Sequence, residues 1–291
     1  VSESAATQEV RRRYGVPDGI HLRVAGGEVL AFLPGYEVAV REVAAHPDAL
    51  PAAGLGGRGG LSRVLTAEVP VLVREYRKGG MLRALRGARF HGSWRPLEEL
   101  VLLRRLRAVG VPAPEAVGCV VLRRPLGWRG FLLTQEVEGA VDLEAWLHGV
   151  RAPTRRPRRE LLREAGRSVR MLHDAGVLHP DLHPKNLLLT PEGGVLVLDL
   201  DGARTGDGLV TDGGRVKNLV RLARAVEKHR LKGLRAGRRE ALRFLEGYSG
   251  SREAAEAWLD RVRQRLRRGL ALRILWWRLI GEARPWRPAV G

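Results

Sequence analysis

HPDLHPKN, His179–Asn186, is followed further along the chain by the apolar run VLVLDLDG, Val195–Gly202. The first segment spaces a histidine, an aspartate and an asparagine as H-x-D-x-x-x-x-N. The second carries a hydrophobic strand pattern straight into Asp199 and Asp201. Either motif alone is compatible with a turn whose Asp and Asn cap backbone groups. Together, after a helix-patterned stretch and before a strand-patterned one, they read as a single polar site.

Phosphoryl transfer from a nucleotide needs a phosphate cradle, a cation on the phosphates, a group that positions the acceptor hydroxyl, and oxygen ligands for a metal. The H-x-D-x-x-x-x-N spacing is that of a kinase catalytic loop. On this reading Asp181 accepts or orients the attacking hydroxyl, and Asn186 and Asp199 supply the oxygen atoms that Mg²⁺ prefers. His183 and Lys185 lie inside the same loop, where they can contact phosphate or acceptor, or simply pack the turn. Asp201 is placed to support either the metal or the loop.

Upstream, GLGGRGG (Gly54–Gly60) can bring backbone N–H groups close to phosphates, since glycine tolerates positive φ and tight approach. Gly57, Arg58, Gly59 and Gly60 are the cradle candidates. In the strand PVLVREY that follows, Arg74 stands where a nucleotide-binding lysine is usual; Lys78 is the second candidate. Glu98 and Glu99 are adjacent on a helix expected from Pro96 to Val109, about 100° apart around its axis. Only one can face Arg74, and Glu99 is preferred. The segment QEVEG (Gln135–Gly139), including Glu136, falls at the junction of the two halves, where backbone groups would meet an adenine edge.

The chain has 291 residues, enough for two modest domains or two lobes. HLRVAGGEVLAFLP reads as a hairpin turning at Gly26-Gly27, and SRVLTAEV and PVLVREY as two further strands. VGVPAPEAVGCVVL and GWRGFLLTQEV continue the β-rich half. After Gly139 helix patterns dominate, with Leu161, Leu162, Ala165, Val169 and Leu172 on one stripe and Gly176 as the stop. The last long stretch, REAAEAW through LALRILWWRLIG, is also helix-patterned. The expected fold is α+β, with an N-lobe over residues 1–136 and a C-lobe over 137–291.

A formal charge of +19 favours an anionic partner, although only five of the 51 basic residues are lysine, a skew that a GC-rich genome also produces. There is one cysteine, Cys119, so no intramolecular disulfide is possible. The N-terminal stretch VSESAATQEVRRRYG lacks the apolar core of a secretion signal, and no apolar run is long enough to span a bilayer. A cytoplasmic location is expected. The Trp276-Trp277 stripe fits packing of a final helix or rest at an anionic membrane interface. No zinc pattern, basic zipper or aromatic RNA-binding strand is present, so nucleic acid is not expected as a partner.

With these residues assembled, the chain resembles the lipopolysaccharide core kinases, most of all the 3-deoxy-D-manno-octulosonic acid (Kdo) kinases. The resemblance runs from about Gly54 to Lys228. It rests on GRGG (Gly57–Gly60), VLVREYRKGGMLRAL with arginine for lysine, RPLEELVLLRRLRAVGVPAPEAVG, HPDLHPKNLLL, VLVLDLDGAR and RVKNLVRLARAVEK. The Y-R-[KR]-G-G run and the N-L-x-R-L segment set it apart from aminoglycoside-type phosphotransferases. The resemblance implies a two-lobed protein-kinase-like fold, ATP and Mg²⁺, and γ-phosphoryl transfer to a sugar hydroxyl. The acceptor it implies is Kdo on a lipid A precursor, met at the cytoplasmic face of the inner membrane by a peripherally bound enzyme. Asp181 carries over as the catalytic aspartate, Asn186 and Asp199 as metal ligands, and Arg74 as the family's substituted strand position. Pro180 departs from the arginine of typical protein kinases, and the short stretch from Asp199 to Arg215 leaves little room for an activation loop. Another small-molecule or protein kinase of the same fold, a heptose kinase included, and a non-catalytic pseudokinase are the alternatives. Intact Asp181, Asn186 and Asp199 argue against the last.

Overall fold

The computed structural model describes residues 3–54, 61–66, 69–76, 94–124, 127–205 and 208–279; for Arg204 and residues 268–279 it describes the backbone alone. The glycines Gly57, Gly59 and Gly60, with Arg58 and Lys78, lie outside the described residues, as do the side chains of Trp276 and Trp277. The described residues form two compact units. One holds those up to Arg105 together with Pro114–Glu136, and the other holds Leu106–Ala113 and those from Val137 onward.

The first unit is built on a six-stranded antiparallel sheet in the order β1-β2-β5-β6-β4-β3. Its strands are β1 (His21–Ala25), β2 (Glu28–Phe32), β3 (Leu61–Val64), β4 (Val71–Glu75), β5 (Ala116–Arg124) and β6 (Gly127–Gln135). Gly26 and Gly27 turn the first hairpin with φ of 59° and 81°, the two positive values that a two-residue turn of matching twist requires. Helix α1 (Ala5–Tyr14) precedes the sheet, and its Thr7 hydroxyl accepts from the Val24 N–H at 3.2 Å. Helix α2 (Glu37–Ala45) buries Val40 and Val43 against Val71, Val73, Val117, Val120, Leu122, Phe131 and Leu133 of the sheet. Helix α3 (Arg95–Ala108) carries Pro96 in its first turn, where a fixed φ and a missing N–H cost nothing, and buries Leu97, Leu100, Val101 and Leu103. The ring of Pro96 lies where a side chain on Gly130 would go, so β6 and the start of α3 approach closely.

The second unit is mainly helical. It contains α4 (Leu143–Leu147), α5 (Arg158–Asp174), α6 (Asp212–Arg230), α7 (Arg238–Ser249) and α8 (Arg252–Leu279). Helix α5 buries the expected stripe from Leu161 to Leu172 and ends before Gly176, whose φ is 78°. Helices α5 and α7 touch backbone to backbone. A Cβ on Gly166 would collide with the Phe244 carbonyl, and one on Gly247 would collide with the Arg163 carbonyl. Beside α5 lies a small sheet, β10-β9-β7, of Val195–Val197, Leu187–Leu189 and Val141–Asp142. The pair β8 (Val177–Leu178) and β11 (Arg204–Thr205) closes the loop region. The α+β expectation holds: strands dominate the first unit and helices the second.

The apolar strand pattern does not run to Asp199 as expected. Strand β10 stops at Val197; the Leu198 N–H still meets the Asn186 carbonyl at 2.9 Å, in register with β9, and Asp199, at a φ of 58°, then leaves the extended backbone a strand needs.

Candidate active site

The polar segment runs from β8 through a 3-10 turn, Pro184–Asn186, into β9. His179 is 2 % exposed and ties this segment to the end of β10. Its Nδ1 accepts the Asp181 N–H at 3.0 Å, and its Nε2 lies 2.8 Å from the Leu198 carbonyl. A carbonyl can only accept, so the ring is the Nε2–H tautomer, and burial, its largest influence, holds its pKa below the usual value. One neutral imidazole thus fixes the backbone of Asp181 relative to the residue preceding Asp199.

Asn186 is held from three directions. Its N–H donates to the His183 carbonyl at 3.0 Å, its carbonyl accepts from Leu198, and its Nδ2 donates to the Asp181 carbonyl at 3.0 Å. The amide nitrogen is therefore committed, and Oδ1 is the end turned to other partners. Asp199 has φ of 58°, the only positive value at a non-glycine position among the described residues. Such backbone is uncommon outside glycine, and aspartate is one of the few residues that tolerate it. An amide oxygen and a carboxylate are the hard donors that Mg²⁺ binds, with phosphates and water completing its shell. Among the described residues no group of three or more His, Cys, Asp and Glu side chains could hold a metal alone. The donor set fits an ion that arrives with phosphate.

Asp181 is 67 % exposed, with His183 Nε2 at 3.4 Å and Arg221 Nη1 at 3.6 Å from its carboxylate. Arg221 also donates to the Pro180 carbonyl. Burial lowers the pKa of His183, while the carboxylates of Asp181 and Asp199 oppose that shift. Lys185 sits in the 3-10 turn, near enough for its charge to act on Glu144.

In the first unit, Arg74 on β4 and Glu99 on α3 form an ion pair, with the Tyr76 hydroxyl bonded to the same Glu99 oxygen. The Tyr76 hydroxyl also accepts from Arg74 Nη2 at 3.0 Å, and the guanidinium lies 4.8 Å from the Tyr76 ring centroid. Glu99 is 3 % exposed, whereas Glu98 faces solvent. The Glu136 N–H donates to the Pro70 carbonyl at 2.8 Å and its carboxylate pairs with Arg63.

Residues 52–248 match the model of the lipopolysaccharide kinase (Kdo/WaaP) family. The chain belongs to that family. It is also 30 % identical over 182 residues to 3-deoxy-D-manno-octulosonic acid kinase of Vibrio vulnificus (strain YJ016), covering 60 % of this chain and 73 % of that one. The protein of the same name from Photobacterium profundum is 32 % identical over 176 residues, 59 % of this chain and 71 % of its own. That from Haemophilus influenzae (strain PittEE) is 34 % identical over 167 residues, covering 54 % and 65 %. The expectation of a kinase of the lipopolysaccharide core stands.

For a Kdo/WaaP family member, the residues that sequence reasoning missed lie one layer beneath the loop. Asn218 on α6 accepts the His179 N–H at 3.2 Å through Oδ1 and donates from Nδ2 to the His179 carbonyl at 2.8 Å. The same Oδ1 is 2.9 Å from His173 Nε2, and His173 Nδ1 is 2.9 Å from the Tyr248 hydroxyl. Burial pushes the His173 pKa down to about 4, so the ring is neutral, with Nε2–H donating and Nδ1 accepting. The chain Tyr248–His173–Asn218–His179 thus anchors the Asp181 loop to α5, α6 and α7. The one available signal was an asparagine among the apolar positions of α6, inside the N-L-x-R-L run.

Proposed function

We propose that the chain transfers the γ-phosphoryl group of ATP to a hydroxyl of a Kdo residue carried on a lipid A precursor. The observation that carries this reading is the His179 bridge. It holds Asp181 and the Asp199 end of the chain in one arrangement, with the Asn186 amide oriented by Asp181 itself. A turn that merely capped backbone groups would need neither the bridge nor the positive φ at Asp199.

Asp181 takes the proton of the acceptor hydroxyl on its exposed carboxylate, where Arg221 and His183 flank it. Asn186 Oδ1 and the Asp199 carboxylate would hold Mg²⁺, which when bound neutralises phosphate charge. Arg74, steered by Glu99 and Tyr76, provides a permanently charged group for the nucleotide phosphates. Gly57, Arg58, Gly59 and Gly60 are assigned to the phosphate cradle, the Glu136 carbonyl to the adenine amino group, and Lys185 to a phosphate or acceptor anion. Residues 1–136 then serve nucleotide binding, and 137–291 carry the transfer chemistry.

A lipid-linked acceptor calls for peripheral binding at the cytoplasmic face of the inner membrane. The charge of +19 favours an anionic surface, and no described helix is long and apolar enough to cross a membrane.

The test is incubation with labelled ATP, Mg²⁺ and, in separate reactions, Kdo-bearing lipid A, lipid A alone, an aminoglycoside and a protein mixture. Label on the Kdo-bearing lipid alone is expected. Label on protein or on the aminoglycoside instead refutes the acceptor.

A further inference from the structure

The N-L-x-R-L run of α6 grips two successive residues of the catalytic loop. Asn218 holds the backbone of His179 through both ends of its amide. Arg221 lies three residues on, on the same side of the helix, and its Nη1 donates to the Pro180 carbonyl. The same Nη1 is 3.6 Å from Oδ1 of Asp181. The two residues differ in setting. Asn218 is buried, whereas the side chain of Arg221 is 51 % exposed, beside the equally open carboxylate of Asp181.

A guanidinium carries five N–H groups, and a tie to one carbonyl uses one of them. Nε and Nη2 of Arg221 make no hydrogen bond to any described residue, and Asp181 is the one acid that pairs with Arg221 among those residues. Nε and Nη2 present parallel N–H groups, the fork that takes both oxygens of a carboxylate at once. A neutral sugar hydroxyl gives such a fork nothing to bind. The acceptor proposed above is 3-deoxy-D-manno-octulosonic acid, so the sugar to be phosphorylated carries a carboxylate of its own. The charge of the nucleotide phosphates is already assigned to Arg74 and to the metal that Asn186 and Asp199 would hold. Only the width of one guanidinium and a 3.6 Å gap separate the fork from Asp181, so one sugar can reach both.

We infer that Arg221 sets the specificity for an acidic acceptor: its Nε–Nη2 edge binds the carboxylate of the same sugar whose hydroxyl meets Asp181. The inference rests on the proposed Kdo acceptor, and it names the residue that tells this sugar from a neutral one. The bond to Pro180 holds the cation at a fixed place beside the aspartate, so capture of the acid group also delivers the hydroxyl.

The test uses the full chain with ATP, Mg²⁺ and two acceptors, Kdo-bearing lipid A and the same lipid methyl-esterified at its sugar carboxylates. Wild type is compared with R221Q and R221K. Wild type is expected to show an acceptor KM about ten- to a hundredfold lower for the acid than for the ester, the worth of a charge-assisted fork. R221Q should raise the KM of the acid by that factor and no longer distinguish acid from ester, while the KM for ATP stays put. R221K should recover only part of the preference, because lysine keeps the charge and lacks the fork. A wild type indifferent to esterification, or an R221Q that keeps the wild-type preference, overturns the inference. A kcat that falls on both acceptors with the KM ratio kept marks a residue that only positions the loop, and also overturns it. A raised KM for ATP alone does the same, since it places the fork on phosphate. If wild type phosphorylates neither lipid, the Kdo reading fails by itself. The fork is then decided by calorimetric titration with free Kdo and its methyl ester: saturable binding of the acid that R221Q abolishes supports it, and equal heats from wild type and R221Q overturn it.

Discussion

Replacing Asn218 by leucine tests whether the layer beneath the loop positions the chemistry. Leucine matches asparagine in size, but it removes the acceptor for the His179 N–H, the donor to the His179 carbonyl and the partner of His173 Nε2. All three groups are buried, and each left unsatisfied costs about 1–3 kcal/mol. Allowing for some relaxation, the loss of stability is about 3–6 kcal/mol, a large share of what a domain of this size holds. Asn218→Asp is the isosteric companion. It keeps the two accepting bonds, loses the donor for about 1–3 kcal/mol, and adds the cost of a buried carboxyl set against the His179 carbonyl. Neither change touches Asp181, Asn186 or Asp199 directly. A shift of about 1 Å in a positioned group nevertheless lowers turnover about a hundredfold. Urea unfolding gives the stability, and steady-state kinetics with the Kdo-bearing acceptor gives kcat and both KM values. The signature of a positioning residue is a kcat that falls about a hundredfold in folded N218D, with both KM values changing much less. If N218D, or any folded N218L, keeps kcat within about threefold of wild type, the reasoning from the buried network to the loop is wrong.

Three other outcomes are expected. Asp181→Asn should reduce kcat by about 10²–10⁴, with nucleotide binding measured by calorimetry left intact; an active variant would remove the assigned base. Glu99→Gln should raise the KM for ATP about tenfold by releasing Arg74, and Arg74→Lys should not restore it because lysine lacks the planar fork; unchanged ATP kinetics in both would exclude Arg74 from the phosphates. Stability should fall on acidification. His173 titrates near 6.5 when unfolded and at about 4 when folded, so its contribution is complete above pH 6.5 and is lost progressively as pH drops toward 4. The loss reaches about 3 kcal/mol at the lower end, with His229 shifted in the same direction. Urea unfolding at pH 7.5, 6 and 5 checks it, and a flat profile contradicts the neutral buried rings.

The parts of the fold that were legible in the sequence carry strong local chemistry. Two adjacent glycines between alternating strands gave the first hairpin, Pro96 gave the start of α3, and the stripe ending at Gly176 gave α5. Helices α1 and α2 were not read. In α1 only Thr7 and Val10 are buried, so no apolar stripe marks it. The run VLVLDL alternates well enough to look like one strand, yet β10 ends at Val197, because Asp199 takes a φ of 58° that no strand continues through. Of the candidate site, Asp181, Asn186 and Asp199 are visible because the spacing of polar residues in a loop is itself the signal. Helix geometry lets only one of Glu98 and Glu99 face the site; Glu99, which leads into the run LVLLRRL, was preferred, and it is the one that meets Arg74. Asn218 and His173 were hidden because their partners lie 39 and 45 residues away along the chain, and no local pattern encodes a hydrogen bond over that separation.

The reciprocal glycines of α5 and α7 constrain how this enzyme can be altered. Glycine within a helix is the usual first target for stabilisation, since alanine there gains up to about 1 kcal/mol of helix propensity. At Gly166 and Gly247 that gain is barred, because each methyl group would enter the other helix's backbone. Helix α5 carries His173 and α7 carries Tyr248, so forcing the pair apart would pull on the very residues from which the loop is suspended. Two absent side chains therefore set the tolerance of the Asp181 loop's position.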